Sequence, residues 1–477
     1  MEPLGEGWTG QFCSALDTSR RQKVSELLAD LVFTADDVER LMKVFGQQMD
    51  LANSADQAAR QTSDLLMENT HVRHLMDGTE NGAYLGLDLG GTNFRVVLVE
   101  LTNGVADTVI ETYTIPENVL CGPSKGVFDF IATSILDFEC KNGLTDRKEP
   151  LPLGFTFSFP SKQLALNSCV LLTWTKSFKC TDGVGMDPVK LLQEALEKHG
   201  LGRKIDVVAV TSDTTSTLLA ANYADKKSRL GVILGTGSNA AFVENLSNIA
   251  RWTGDMKTPT HVIVNVEWGA AGDGGCLDFY RTDLDRQVDK ESNHPGSFTF
   301  EKSFSGLYLG ELVRLVLVKL AKHGLLFTGQ LPSFLSRPWT LNTTHVTEIE
   351  SDVGPETSRT WEVLRQLKVT EESSVNDDDV ALVREVAEMV SRRGAYIVAS
   401  AIAALVNRTC LPEVSVGIDG SLYECHPKYH KHLIDILSNF CPRCQVKLLL
   451  VKDGSGLGAA FAAVSALRQK TEGLRCS

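Results

Sequence analysis

The chain has no excess of positive charge: 47 Lys plus Arg stand against 60 Asp plus Glu, a net charge of −13 over 477 residues. A protein that holds nucleic acid or anionic lipid by bulk charge is therefore not expected, and a phosphate ligand would need a local site. No apolar run is long enough for a bilayer. The longest, 394–406, falls short of the roughly 20 residues a span requires and carries Ser400 within it. The opening MEPLGEGWTG lacks the basic and apolar regions of a signal peptide and the arginines of a transit segment, so a cytoplasmic location is expected. Cysteine is not dense: 11 are scattered in an odd count, unlike the framework of a small secreted domain, and they are read as reduced thiols. Only Cys441 and Cys444 have CxxC spacing. A Pro-Arg turn is the expected reading; a zinc site would need further ligands from Cys425, His426 or His430.

What is present is ordinary globular composition, 43% hydrophobic and 22% charged, at a length that exceeds one hydrophobic core and predicts two domains. The first 75 residues read as helical, with Ala35, Val38, Leu41, Met42 and Phe45 at helical spacing. From Gly82 the period shortens. Runs at 84–89 and 94–101, parted by Gly90, Gly91, Thr92 and Asn93, predict a β-hairpin. Further strands are predicted at 153–159, 205–210, 230–234, 260–266, 414–418 and 445–451 with helices between most of them, which makes an α/β protein. Leu309, Leu312, Val313, Val316, Leu317 and Leu320 form the stripe of a core helix. Asp377, Asp378 and Asp379 suit the positive end of a helix better than a metal. An internal echo, LGLDLGGTNFRVVLVE at 85–100 and LGVILGTGSNAAFVE at 230–244, suggests duplicated halves meeting near 210–220.

Four strand ends bare the backbone with small residues: Asp88 to Thr92, Gly235 to Ser238, Asp419-Gly420-Ser421, and Asp453 to Gly458. Successive N–H groups without a Cβ in the way cradle an anion, and the hydroxyls of Thr92, Thr236 and Ser455 could add donors. Neither GxxxxGK[ST] nor a GxGxxG between strand and helix occurs, so P-loop and Rossmann sites are disfavoured and the cradle is a hairpin. Asp88, beside that hairpin, is placed to hold Mg²⁺ through water.

LDLGGTNFRV (87–96), GFTFSFP (154–160), WTKSF (174–178), GTGSNA (235–240), NVEWGAAGD (265–273), PGSFTFEKSFSGLYLGELVRLVL (295–317), DGSLY (419–423) and DGSGLGAA (453–460) resemble the signature blocks of the hexokinase family, in the family's order over about residues 20–468. The length is similar to one unit of the glucokinase type. The resemblance implies two ribonuclease H-like α/β domains of the actin and sugar-kinase superfold with a hinged cleft. An N-terminal half would span 20–215, with a small-domain core of 76–210. A C-terminal half would span 216–468, with residues 1–75 in the large domain and a helix at 455–470 returning to the small one.

It further implies ATP-dependent phosphorylation of a hexose, glucose by family preference, at the 6-hydroxyl by a monomer that uses Mg²⁺ and neither membrane nor nucleic acid. Ser158, Thr175, Lys176, Ser212, Asp213, Asn239, Glu267 and Glu301 would hold the sugar, with Asp213 as base and Lys176 neutralising the moving phosphoryl group. ATP would lie against Asp88, Gly90, Gly91, Thr92, Asn93, Arg95, Thr236, Gly237, Gly420, Ser421, Gly454, Ser455 and Gly456. Carboxylates and amides at Glu267, Glu301 and Asn239 are also the groups a ring of hydroxyls requires. The chain departs from the pattern at Ser212 for asparagine, Ala271 for an aromatic, Phe298 for glutamine, Ser177 for glycine, and Asn69 and Met76 for prolines. The alternative reading is accordingly a weakly active or inactive relative that senses sugar.

Overall fold

The computed structural model describes residues 17–91, 93–257, 259–353 and 357–475. Its strands are β1 (Glu68–Asn69), β2 (Gly82–Leu89), β3 (Asn93–Thr102), β4 (Val105–Thr114), β5 (Leu151–Phe157), β6 (Ser161–Ala165), β7 (Ser168–Leu171), β8 (Ile205–Thr211), β9 (Ser228–Leu234), β10 (Ser238–Asn245), β11 (His261–Asn265), β12 (Glu413–Asp419) and β13 (Gln445–Leu450). One main sheet runs β4-β3-β2-β5-β8 and the other β1-β11-β10-β9-β12-β13, while β6 and β7 pair with each other in a two-stranded sheet. In each main sheet, a hairpin-linked antiparallel trio is followed by two parallel strands. β2 pairs with β5 and β5 with β8 in parallel, as β9 does with β12 and β12 with β13. The sequence echo is thus a structural one, for β2–β3 and β9–β10 are equivalent hairpins.

Six helices matter for the site: α1 (Ala35–Ala52), α2 (Ser124–Lys141), α3 (Asp213–Ala224), α4 (Leu309–Lys322), α5 (Asp377–Thr409) and α6 (Gly454–Arg475). Each boundary has a local cause. Thr34 and Asp37 make a reciprocal capping box at α1, and Asn376 with Asp379 does the same at α5, which accounts for the Asp377–Asp379 run without a metal. The predicted stripe of α4 is buried along its length. By length and composition α5 could cross a membrane, yet 89% of its apolar window is packed inside the protein. It lies against α1, α4 and the helix Tyr429–Phe440, in the largest of three cores. The second joins α2 to the first sheet, and the third packs α3 and α6 against both sheets.

The CxxC pair closes a tight turn in which Cys444 N donates to Cys441 O at 3.0 Å, after that last helix and before β13. Burial pushes the Cys441 thiol up to about 12, which disfavours thiolate chemistry there. Among the described residues no cluster with metal-binding composition occurs.

Candidate active site

β8 ends at Thr211 and the chain turns at once into α3. The Ser212 hydroxyl caps that helix, accepting from Thr215 N at 3.3 Å, and leaves Asp213 as the first helical residue. The capping job is therefore done by Ser212, and the Asp213 carboxylate, which among the described residues accepts only its neighbour Thr214 N at 2.8 Å, faces a cavity of about 760 Å³. Ser158, Lys176, Ser212, Asp213, Asn239, Glu267 and Glu301 share that cavity's wall with Gly91, Thr236 and Gly237. Residues from both sheets meet there.

The far wall is a connected polar network. Asn265, at the end of β11, donates from Nδ2 to Glu267 Oε1 at 2.6 Å, while its Oδ1 accepts from Asn239 Nδ2 at 3.0 Å and from Thr214 Oγ1 at 3.1 Å. Asn239 Nδ2 also reaches Glu267 Oε1 at 2.7 Å, and Asn239 Oδ1 accepts Glu267 N at 3.1 Å. Glu267 sits at φ 54°, a left-handed backbone that a glutamate adopts only when its surroundings enforce it. Burial pushes its carboxyl up to about 7, with repulsion from Glu68 and Asp213 adding and the two amides opposing. Glu301 is held by Ser238 N at 2.8 Å and is likewise raised by burial. Phe298 forms part of the rim, at φ 61° with its N–H on Asp273 at 3.1 Å.

A second group of predicted residues lies outside this cavity, at the strand ends. Gly90 N closes the first hairpin on Asn93 O at 3.0 Å, and Gly235 N closes the second on Gly237 O at 3.1 Å. Gly420 has φ 122°, and a Cβ there would stand 2.4 Å from Leu234 O, so only glycine lets that turn lie beside Gly235. Lys176 links the two groups, its stem packed where a Gly91 Cβ would be 3.6 Å away and its ammonium 5.5 Å from the Phe159 ring centre.

Asp88 is buried and accepts from Arg95 Nη1 and Ser455 Oγ, each at 2.9 Å; burial raises its carboxyl while Arg95 and Ser455 pull it down. The Ser455 hydroxyl is thus donated to Asp88 rather than presented to a ligand, contrary to expectation. Gly454, Ser455 and Gly456 form the buried start of α6. Ser421, Asn93 and Arg95 stay accessible. Thr175 does not reach the cavity wall, and Thr92 lies outside the described residues.

Sequence reasoning passed over three groups. Asn265 is the hub of the network. Glu68 and Gln163 line the same cavity, with Gln163 N donating to Glu68 at 2.7 Å. Asp419, at the end of β12, is pushed up to about 6 by burial and by repulsion from Asp213, Asp88 and Asp453, against its hydrogen bond to Gly420 N.

Hexokinase family models match two successive stretches, residues 23–223 and 229–465. Human Hexokinase-3 is 42% identical over 417 residues, which is 86% of this chain and 44% of that protein. Human Hexokinase-1 is 37% identical over 464 residues, 95% of this chain and 49% of that protein. The chain spans about half the length of these relatives. A hexokinase from Schistosoma mansoni complexed with glucose superposes with a TM-score of 0.83 at 36% identity, over 94% of this chain and 100% of that one. Matches of this extent to both halves, with the duplicated sheet topology, show that the chain belongs to the hexokinase family.

Proposed function

We propose that the chain transfers the γ-phosphoryl group of ATP to the 6-hydroxyl of a hexose, with glucose the first substrate to test. The observation that carries this reading is the single cavity lined together by Asp213, Asn239, Glu267, Glu301, Ser158 and Lys176. A hexose offers hydroxyls to that wall as donors and acceptors at once, and one hydroxyl falls to the unencumbered Asp213 carboxylate as general base. Lys176, on the same wall, offsets the charge of the moving phosphoryl group. Closure of the smaller lobe (76–210) on the larger one excludes water, which would otherwise accept the phosphoryl group.

ATP is assigned to the open strand ends, where the Thr236-Gly237 turn and Ser421 present backbone N–H groups beside Gly420, whose own N–H is held by Asp419. Asp419, repelled by Asp213, Asp88 and Asp453, and Asp88, repelled by Asp213, suit a divalent cation there, which these two carboxylates would hold through water. When bound with ATP, Mg²⁺ would offset the charge of the β- and γ-phosphates. Release of ADP by purified protein, measured with and without glucose and Mg²⁺, tests this directly. Turnover that needs both is expected.

The second reading is a sugar sensor. The Ser212 hydroxyl is committed to Thr214 Oγ1 at 2.8 Å and Thr215 Oγ1 at 3.1 Å, which leaves it little capacity to pair a sugar hydroxyl. Glucose binding without ADP above background would favour that reading.

A further inference from the structure

The segment that carries Lys176 is laced to the stretch before α2. Lys179 N donates to Leu120 O at 2.8 Å and Thr181 N to Gly122 O at 3.2 Å, so residues 179–181 run alongside 120–122. Asp182 continues the seam, accepting Ser124 N at 2.6 Å, and its carbonyl accepts Trp174 Nε1 at 2.8 Å. Between the two backbone bonds, each side contributes a cysteine. Cys121 follows the short helix Glu117–Leu120 and is exposed; Cys180 is half-buried. The Cys180 Sγ lies 3.8 Å from the carbonyl oxygen of Leu120, the oxygen of the peptide bond that joins Leu120 to Cys121.

We infer that Cys121 and Cys180 form a reversible disulfide that pins the Lys176 segment to the entrance of α2. The Cys180 Sγ already lies against the peptide bond that begins Cys121, and Cys121 acts electrostatically on the Cys180 thiol, so the two residues are neighbours; a disulfide tolerates Cα separations of roughly 4.4–6.8 Å, and side-chain rotation rather than backbone rebuilding closes the bond. The two thiols differ in a useful way. Burial, then Asp182 and Cys121 itself, push the Cys180 thiol up to about 11, whereas Cys121 is open to solvent and reacts first.

With a low-molecular-weight disulfide such as oxidised glutathione, the Cys121 thiolate attacks one sulfur and expels a glutathione thiolate, leaving a mixed disulfide. Cys180 then gives its proton to solvent and attacks the Cys121 sulfur, expelling the second glutathione. Two protein thiols are oxidised and one glutathione disulfide is reduced to two thiols. The bond itself does not depend on the proposed kinase activity; only its consequence for Lys176 does.

The test treats the full chain with oxidised glutathione, quenches free thiols and maps peptides without reduction. A Cys121–Cys180 cross-linked pair, two hydrogens lighter than the separate thiol peptides and released by dithiothreitol, is expected. Amide exchange over 173–183 should then slow by about tenfold, a modest gain in local closure. Cys180→Ser should stop at the Cys121–glutathione adduct, and Cys121→Ser should leave Cys180 unmodified. A native chain that accumulates the Cys121 adduct with Cys180 still free, or joins either residue to another cysteine, overturns the pairing. A cross-link that leaves exchange over 173–183 unchanged overturns the pinning. ADP release measured on the same samples reports on the kinase reading separately, because absent turnover in both redox forms counts against that reading alone.

Discussion

The wall assigned to the hexose and the edge assigned to the nucleotide solve the problem of buried charge in opposite ways. On the hexose wall two amides hold Glu267 against repulsion from Glu68 and Asp213, and a backbone N–H holds Glu301. At the nucleotide edge Asp88 is paired with Arg95, but Asp419 faces other carboxylates and only one peptide donor. The first surface is finished before a ligand arrives. The second is left unbalanced, as suits the proposed nucleotide with its cation. A neutral sugar can only be selected by donors and acceptors already in place, whereas a polyphosphate with its metal supplies both signs of charge itself.

Removing the group at the junction should cost most. Asp213→Ala should lower kcat by about 10² or more with ATP affinity nearly unchanged, because a general base acts on the transition state and does not touch the nucleotide. Steady-state kinetics and ATP titration check both halves; near-normal turnover would remove Asp213 as base.

The next effect separates the surfaces themselves. Asn265→Leu strips partners from Glu267, Asn239 and Thr214 together, so KM for glucose should rise roughly 10- to 100-fold at about 1–3 kcal/mol for buried groups left unpaired, while KM for ATP stays put. A parallel rise in both constants would mean that wall and edge are one unit.

A smaller effect follows from pH. The folded pKa of Glu267 is raised from 4.5 to about 7, so the native state holds that proton more tightly than the unfolded chain does. Its stabilising contribution is therefore full below 4.5 and is lost as pH rises through about 7. The ionised form is the better acceptor of sugar hydroxyls. KM for glucose should fall up to about tenfold between pH 6 and 8, since one unit in pKa is a factor of ten in ionised fraction. Glucose should also raise the melting temperature more at pH 8. Glu267→Gln should flatten both trends.

The smallest concerns Ser212. Asparagine is as good a helix cap as serine, so Ser212→Asn should preserve α3 and add an amide toward the cavity. A gain of one hydrogen bond, about 1 kcal/mol, predicts a roughly fivefold lower KM for glucose. An unchanged or higher constant would show that Ser212 does not weaken the site.

Much of this was legible before the structure. Hairpins announced themselves through Gly90 to Asn93 and Gly235 to Ser238, because tight turns restrict which residues fit. Glu267 stood in the recognisable block 265–273, and the family resemblance pointed to Asp213. What stayed hidden depends on contacts distant in sequence. Asn265 reads as one more residue at a strand end, and its role arises only when β11 places it beside Asn239 and Thr214. Ser455 looked like a phosphate donor until α6 set it against Asp88. Glu68 enters the cavity through β1, a two-residue strand too short to show any period.

The seating of α6 and α3 has a consequence for how this molecule can change over time. A Cβ on Gly86 or Gly154 would lie 2.2 Å or 1.8 Å from the backbone of α6, one on Gly458 would lie 1.9 Å from Ser216 O, and one on Gly231 would lie 2.4 Å from Thr214 O. At these four points, from the first sheet through α6 and α3 to the second sheet, main chain rests directly on main chain, with the side chains of Val97, Leu218, Ile263 and Phe461 packed around them. The closest approaches between lobes are therefore set by atoms that every residue shares. The cavity's lining can drift toward another sugar, or away from catalysis altogether, without altering the ruler on which Asp213 and the α6 terminus are marked.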